Sequence, residues 1–174
     1  ILQKGKYRIE KVLGQGSFGI TYLATTKVKL GGNLGDMEAV VKVAVKEFFM
    51  RDLNGREGST VTYSSRGELF DKYKKKFIKE AQNLSRLSHP NIIKVLDLFE
   101  ANGTYYYVMK CCECGSLDER IRRSGGLSES ETLRYSNQIG KALGYMHSKK
   151  MMHLDLKPGN IMLDDKGNAV LIDF

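Results

Sequence analysis

Strict alternation of apolar and polar positions marks the first part of the chain. In "VVKVAVKEFF", Val41, Val43 and Val45 fall on one side of an extended strand, and Val40, Lys42, Ala44 and Lys46 fall on the other. "ITYLATTKV" is β-branched and alternating, so it predicts a strand directly after "VLGQGSFG" and makes that glycine-rich stretch a hairpin tip. Two further strands are predicted at "IIKVLDLFE" and "TYYYVMK", with "ANG" as their turn. "GGNLGDMEA" reads as a loop between strands. "RDLNGREGSTVTYSSRG", residues 51–67, has no period and predicts a second, mobile polar loop.

The period then lengthens. "ELFDKYKKKFIKEAQNLSRLSH" is a helix by pattern, bounded by Pro90, with Tyr73, Phe77, Glu80, Leu84 and Leu87 as its stripe. A carboxylate on a buried stripe is costly unless it is paired, so Glu80 asks for a cation from elsewhere. Lys46 by itself reads as a strand end in solvent, yet it is the natural candidate for that partner. Lys74, Lys75, Lys76 and Lys79 fall mostly on the other, solvated face. After residue 111 the pattern is helical: a short helix at "SLDERIRRSG", then a longer one over 128–149. Ser128 with Glu131 forms a capping box for the longer helix, and Thr132, Tyr135, Ile139, Leu143 and Met146 form its apolar stripe. The linker at 111–115 thus joins a β-rich part to a helical one, and a cleft between such parts is where a ligand binds.

Composition narrows the class. The chain has 174 residues and a formal charge of +8, spread over many segments apart from "KYKKKF", so a solvated surface accounts for it better than nucleic-acid binding. No apolar run approaches the roughly 20 residues of a membrane helix, and "ILQKGKYRIE" lacks a signal-peptide core, which makes a cytoplasmic setting the expectation. The first residue is Ile rather than Met, so an excerpt of a longer polypeptide is expected. Cys111, Cys112 and Cys114 are too close to bridge readily and lack the paired spacing of a zinc site, so they read as free thiols.

Gly14, Gly16 and Gly19 let the backbone turn tightly and present bare N–H groups to a phosphate. The strand that follows them argues against a dinucleotide-binding helix. With no Gly-Lys-Ser/Thr after them, they are not a P-loop either.

Taken in order, "GQGSFG", "VAVK", "KEAQNLSRLSHPNI", "HLDLKPGN" and "IDF" resemble the signature of the protein kinase family, and "GITYLA" is similar to bacterial eukaryotic-type serine/threonine kinases. The resemblance implies an α+β, two-lobe fold. Residues 1–110 would form an N-lobe with a five-stranded antiparallel sheet and one main helix, 111–115 the linker, and 116–174 an incomplete helical C-lobe cut within D-F-G.

The resemblance also implies roles. Lys46 would hold the α and β phosphates of ATP and be fixed by Glu80. Asp155 would take or orient the hydroxyl of a protein serine or threonine, and Lys157 would contact the γ-phosphate. Asn160 and Asp173 would be ligands of Mg²⁺, and backbone amides around Ser17, Phe18 and Gly19 would cover the phosphates. Adenine would meet Leu13, Thr21, Ala44 and Met162, with Met109 behind it and the backbone of Lys110 to Cys112 on its edge. An apolar stack would run through Leu84, Val95, His153 and Phe174, which makes His153 a packed histidine.

Lys157 points to the serine/threonine group. Pseudokinases and small-molecule phosphotransferases of related fold are the alternatives. The departures are Leu154 in place of the usual arginine, which puts activation through a phosphorylated loop in doubt, Thr21 in place of valine, and Lys110 with Cys111 in place of an acidic and aromatic pair. These 174 residues alone are expected to be at best weakly active and to expose an apolar patch.

Overall fold

The computed structural model describes residues 1–16, 19–30, 37–50, 54–63 and 67–173. They form two compact units, residues 1–82 with 95–111, and residues 83–94 with 112–174.

The first unit is built on β1 (Tyr7–Gly16), β2 (Gly19–Leu30), β3 (Met37–Phe48), β6 (Val95–Ala101) and β7 (Thr104–Lys110), a five-stranded sheet in the order β1-β2-β3-β7-β6. Every pairing is antiparallel. The sheet curls until its edge strands meet: the Tyr7 hydroxyl and the Lys6 ammonium both donate to Asp97 Oδ2, at 2.8 and 2.7 Å. Alternation in β3 sorts its side chains as the pattern predicts. Val43 and Val45 are buried in a core cluster with Tyr7, Ala24, Tyr106 and Val108. Phe48, on the face of Lys46, packs on Phe70 and Phe77 of α1 (Gly67–Ser85), with ring centroids 5.2 and 5.4 Å apart.

The polar stretch after β3 is not a featureless loop. Asn54–Glu57 (β4) and Thr60–Tyr63 (β5) pair as an antiparallel hairpin. Val61 is buried, and its N–H donates to Asn102 O in the β6–β7 turn at 2.9 Å. The stretch is too short and too polar to show a period, and its order comes from docking. The loop expected at "GGNLGDMEA" begins to pair from Met37; residues 31–36 lie outside the described residues. Ile92 and Ile93 do not belong to a strand of this sheet. Ile92 makes a parallel bridge to Leu171, and Ile93 N–H donates to Leu171 O.

The second unit contains α2 (Leu117–Ser124), α3 (Glu129–Ser148) and the short hairpin β8 (Ile161–Leu163) with β9 (Ala169–Leu171). Both helices start at capping boxes, Ser116 with Glu119 and Ser128 with Glu131, and α2 stops where Gly125 adopts a left-handed conformation. On α3 the buried positions are Tyr135, Ala142 and Met146, whereas Thr132 is exposed and Ile139 and Leu143 are half-buried. The apolar stripe is therefore turned toward Ala142. Gln138 explains the turn, since its side chain accepts from Ala169 N–H and donates to Asn168, laying that face on the β8–β9 hairpin. Buried Asn91 donates to Ala169 O at 2.7 Å and accepts Leu171 N–H on its backbone, which ties the segment after α1 to the same hairpin. Leu133, Met152, Leu154 and Leu156 are exposed.

Candidate active site

In the first unit, pairing brings Gly14, Thr21, Lys46 and Tyr107 into one row across four strands, and Leu23, Ala44, Met109 and Val95 into another. The same-row side chains share a face, so Lys46 and Ala44 sit beside the Thr21 and Met109 expected around a nucleotide. Leu13 occupies a register shift of β1 and is half exposed, and Lys110 is exposed at the end of β7.

Lys46 does not end in solvent. Its Nζ lies 3.3 Å from Glu80 Oε1 on α1, with both side chains about four-fifths buried (16% and 20% exposed). Tyr107, which the pattern did not single out, donates its hydroxyl hydrogen to the same Glu80 oxygen at 2.9 Å, and its ring lies 5.5 Å from Lys46 Nζ. A buried carboxylate needs more than one partner, and Tyr107 supplies the second. Phe77, Ala81 and Leu84 bury the stripe around Glu80, while Lys72, Lys75, Lys76 and Lys79 face outward; Lys74 differs, half-buried against Phe70 and Tyr105 and paired with Asp71.

The glycines differ in what their missing Cβ permits. A Cβ on Gly19 would lie 2.8 Å from Glu47 O on β3, so close strand approach next to Lys46 demands glycine. At Gly14 and Gly16 the same atom would meet nothing within 4 Å, which leaves bare backbone facing open space. Ser17 and Phe18 lie outside the described residues.

In the second unit, "HLDLKPGN" is a turn closed by its own polar groups. Asn160, buried at the end of a short 3-10 segment, donates through Nδ2 to both Asp155 O and Asp155 Oδ2, each at 2.9 Å. Lys157 Nζ reaches the same Oδ2 at 2.7 Å. The Lys157 contact first, and the Asn160 amide second, hold the Asp155 carboxyl below the ordinary aspartate range, so it is ionised at neutral pH although exposed. His153 is half-buried and hydrogen-bonded rather than merely packed: Nε2 lies 3.0 Å from Ile172 O, and Nδ1 accepts Asp155 N–H. That pattern places the proton on Nε2. Phe174 lies outside the described residues.

Ile172 N–H donates to Asn160 O at 3.0 Å, which brings the chain just before Asp173 against the Asn160 backbone. Asp173 itself has a left-handed φ of 53°, uncommon for a residue with a side chain and frequent at functional sites. Since Nδ2 of Asn160 is committed to Asp155, its Oδ1 is the end left for a cation. That oxygen and the Asp173 carboxylate are hard donors suited to Mg²⁺, which is held by few protein ligands together with phosphates and water. Met162 on β8 bridges to Ser116, and Leu163 N–H donates to Gly115 O. Cys111 and Cys112 are half-buried, Cys114 is exposed, and none of the three is in a disulfide. No helix among the described residues is long and apolar enough to cross a membrane.

The profile of the protein kinase domain matches residues 7–174. The chain is 32% identical over 170 residues to serine/threonine-protein kinase PrkC of Bacillus subtilis, covering 98% of this chain and 22% of that protein. It is 31% identical over 177 residues to probable serine/threonine-protein kinase MARK-C of Dictyostelium discoideum, covering all of this chain and 20% of the relative. The chain therefore spans about a fifth of the length of these relatives. Among solved structures it is similar to the apo form of PpkA-294, with a TM-score of 0.83 and 25% identity, over 97% of this chain and 58% of that one.

Proposed function

From a chain that belongs to the eukaryotic-type (Hanks-type) protein kinase family, in its serine/threonine group, we propose a protein that transfers the γ-phosphoryl group of ATP to serine and threonine hydroxyls of other proteins. The observation that carries this is the Asp155 carboxylate, kept ionised and aimed by Lys157 and Asn160 within one turn of chain. Such a carboxylate accepts the substrate hydroxyl hydrogen as the oxygen forms its bond to phosphorus and the bond to ADP breaks. Lys157, already beside Asp155, neutralises charge on the moving phosphoryl group.

Glu80 and Tyr107 orient the Lys46 ammonium toward the α and β phosphates, and protein residues otherwise supply position rather than covalent chemistry. Asn160 and Asp173 would hold Mg²⁺, which would supply neutralisation of phosphate charge. Gly14, Gly16 and the amide of Gly19 cover the phosphates. In the first unit Leu13, Thr21, Ala44 and Met109, with the Lys110 and Cys111 backbone, take the adenine. The solvated lysine face of α1 needs no nucleic acid to explain it.

The test uses the full-length protein with MgATP and a generic serine/threonine substrate, comparing wild type with Lys46→Met and Asp155→Asn. Turnover lost in both variants, with the fold retained, supports the reading. ATP binding without turnover, unchanged by either substitution, points to a scaffold that has kept only the nucleotide site.

A further inference from the structure

Glu47, directly after Lys46, carries a carboxylate that is only 1% exposed. Burial of a charge is tolerated only with full compensation, and here three donors from three elements supply it. The hydroxyls of Tyr22 on β2 and Tyr106 on β7 donate to Oε2 and Oε1, each at 2.6 Å, and Arg56 on β4 donates to Oε2 at 2.6 Å as an ion pair. Burial, and then the hydrogen bond to Glu47, pushes both tyrosine hydroxyls well above their ordinary range, so both remain donors. For Arg56, burial opposes the charge, but the Glu47 hydrogen bond and charge outweigh it.

Arg56 belongs to the β4–β5 hairpin, and the hairpin is fastened at further points. Its guanidinium lies 5.1 Å from the Phe49 ring, Asn54 exchanges two bonds with the Met50 backbone, and Val61 bonds to Asn102. Gly103, at φ +73°, leaves no room for a Cβ beside Val61 O, 2.9 Å away. This hairpin is the connection between β3, which carries Lys46, and α1, which carries Glu80. Where the hairpin docks sets where α1 can start, because β5 ends at Tyr63 and α1 begins at Gly67.

Resting on the kinase reading, we propose that Glu47 and Arg56 are positioning residues: their ion pair clamps the β4–β5 hairpin onto the sheet and thereby holds α1, with Glu80, within reach of Lys46. The two charges adjacent in β3 then act together through different faces of the sheet. Lys46 meets the helix, and Glu47 holds the segment that delivers it.

The experiment uses the full-length protein and the variants Arg56→Gln, Arg56→Lys and Tyr22→Phe. Amide hydrogen exchange is read in the hairpin, in α1 around Glu80 and in β6–β7, and kcat and KM for ATP are measured beside it. Arg56→Gln is expected to speed exchange in both the hairpin and α1 while β6–β7 stays protected, and to lower kcat/KM for ATP roughly ten-fold, the size of one lost charge-assisted bond. Arg56→Lys should recover part of both effects. Should Arg56→Gln not fold, Tyr22→Phe, which leaves the ion pair in place, gives a smaller change of the same pattern. Fast exchange confined to the hairpin, with α1 and kcat/KM as in wild type, overturns the proposal and leaves a purely structural ion pair. If wild type transfers no phosphate, the kinase reading fails, and α1 exchange still decides whether hairpin and helix are coupled.

Discussion

Lys46 and Glu47, neighbours in β3, send their charges to opposite faces of the sheet, and each ends in an ion pair: Lys46 with Glu80 of α1, Glu47 with Arg56 of the β4–β5 hairpin. Strand alternation forces the divergence. One short stretch of chain therefore joins Lys46 to α1 and Glu47 to the β4–β5 hairpin, two elements that follow it.

Tyr107 separates positioning of Glu80 from its charge. Lys46→Met and Glu80→Gln should each cut kcat/KM by about 10² to 10³, as loss of a preorganised charge does. Tyr107→Phe removes one hydrogen bond to a buried carboxylate, worth about 1 to 3 kcal/mol, and should cost about ten-fold while leaving the fold intact. Steady-state kinetics on the three variants checks the order; a Tyr107→Phe enzyme as impaired as Lys46→Met would mean that Tyr107 does more than orient Glu80.

Asp155 should set no acid limb of kcat near neutrality. Its folded pKa lies below the ordinary aspartate value because of Lys157 first and Asn160 second, so it is charged above that value and loses its charge only as pH falls further. Asp155→Asn should lower kcat by roughly 10² to 10⁴ at every pH tested. A kcat limb near about pH 6 that vanishes in Asp155→Asn would show that its carboxyl titrates far higher than the geometry allows.

Gly19 and Gly14 should respond differently to alanine. Gly19→Ala drives a Cβ into Glu47 O, so β2 and β3 must part beside Lys46; stability should fall by about 1 to 3 kcal/mol and KM for ATP should rise. Gly14→Ala meets open space and should change stability by less than about 0.5 kcal/mol. Urea unfolding of both, with ATP titration, distinguishes them. Equal stability losses would contradict the close approach at Gly19.

The start of α3 should carry its own acid sensitivity. The Arg120 side chain, then the Ser128 backbone and hydroxyl, pull Glu131 down to about 2. A carboxylate with a depressed folded pKa stabilises above its unfolded value, and that contribution is lost as pH falls toward the folded one. Unfolding free energy measured between about pH 5 and about pH 2 should decline less steeply in Glu131→Gln than in wild type, and identical slopes would remove Glu131 from the capping network.

Much of this was legible in the sequence because it is local. Alternation in "VVKVAVKEFF", the glycine-rich hairpin and the Ser128–Glu131 box each depend on neighbours a few residues apart, and all appear in the structure. The cost of a carboxylate on a helical stripe was enough to pair Glu80 with Lys46 across 34 positions. The Ser116–Glu119 box was equally readable from its spacing and was missed.

Tertiary contact decided the rest. The β4–β5 hairpin has no period of its own and is ordered by Arg56, Asn54 and Val61 reaching other elements. Ile92 and Ile93 look like strand residues, yet their partner is Leu171, far along the chain. Glu47 and Tyr107 were invisible as site residues because neither a buried carboxylate's donors nor a tyrosine's acceptor can be read from periodicity. Sequence determined which faces are apolar and which charges need partners, since those follow from the pitch of strand and helix. Only the folded chain determined which partner each charge takes, because that depends on which distant segments dock within hydrogen-bond reach.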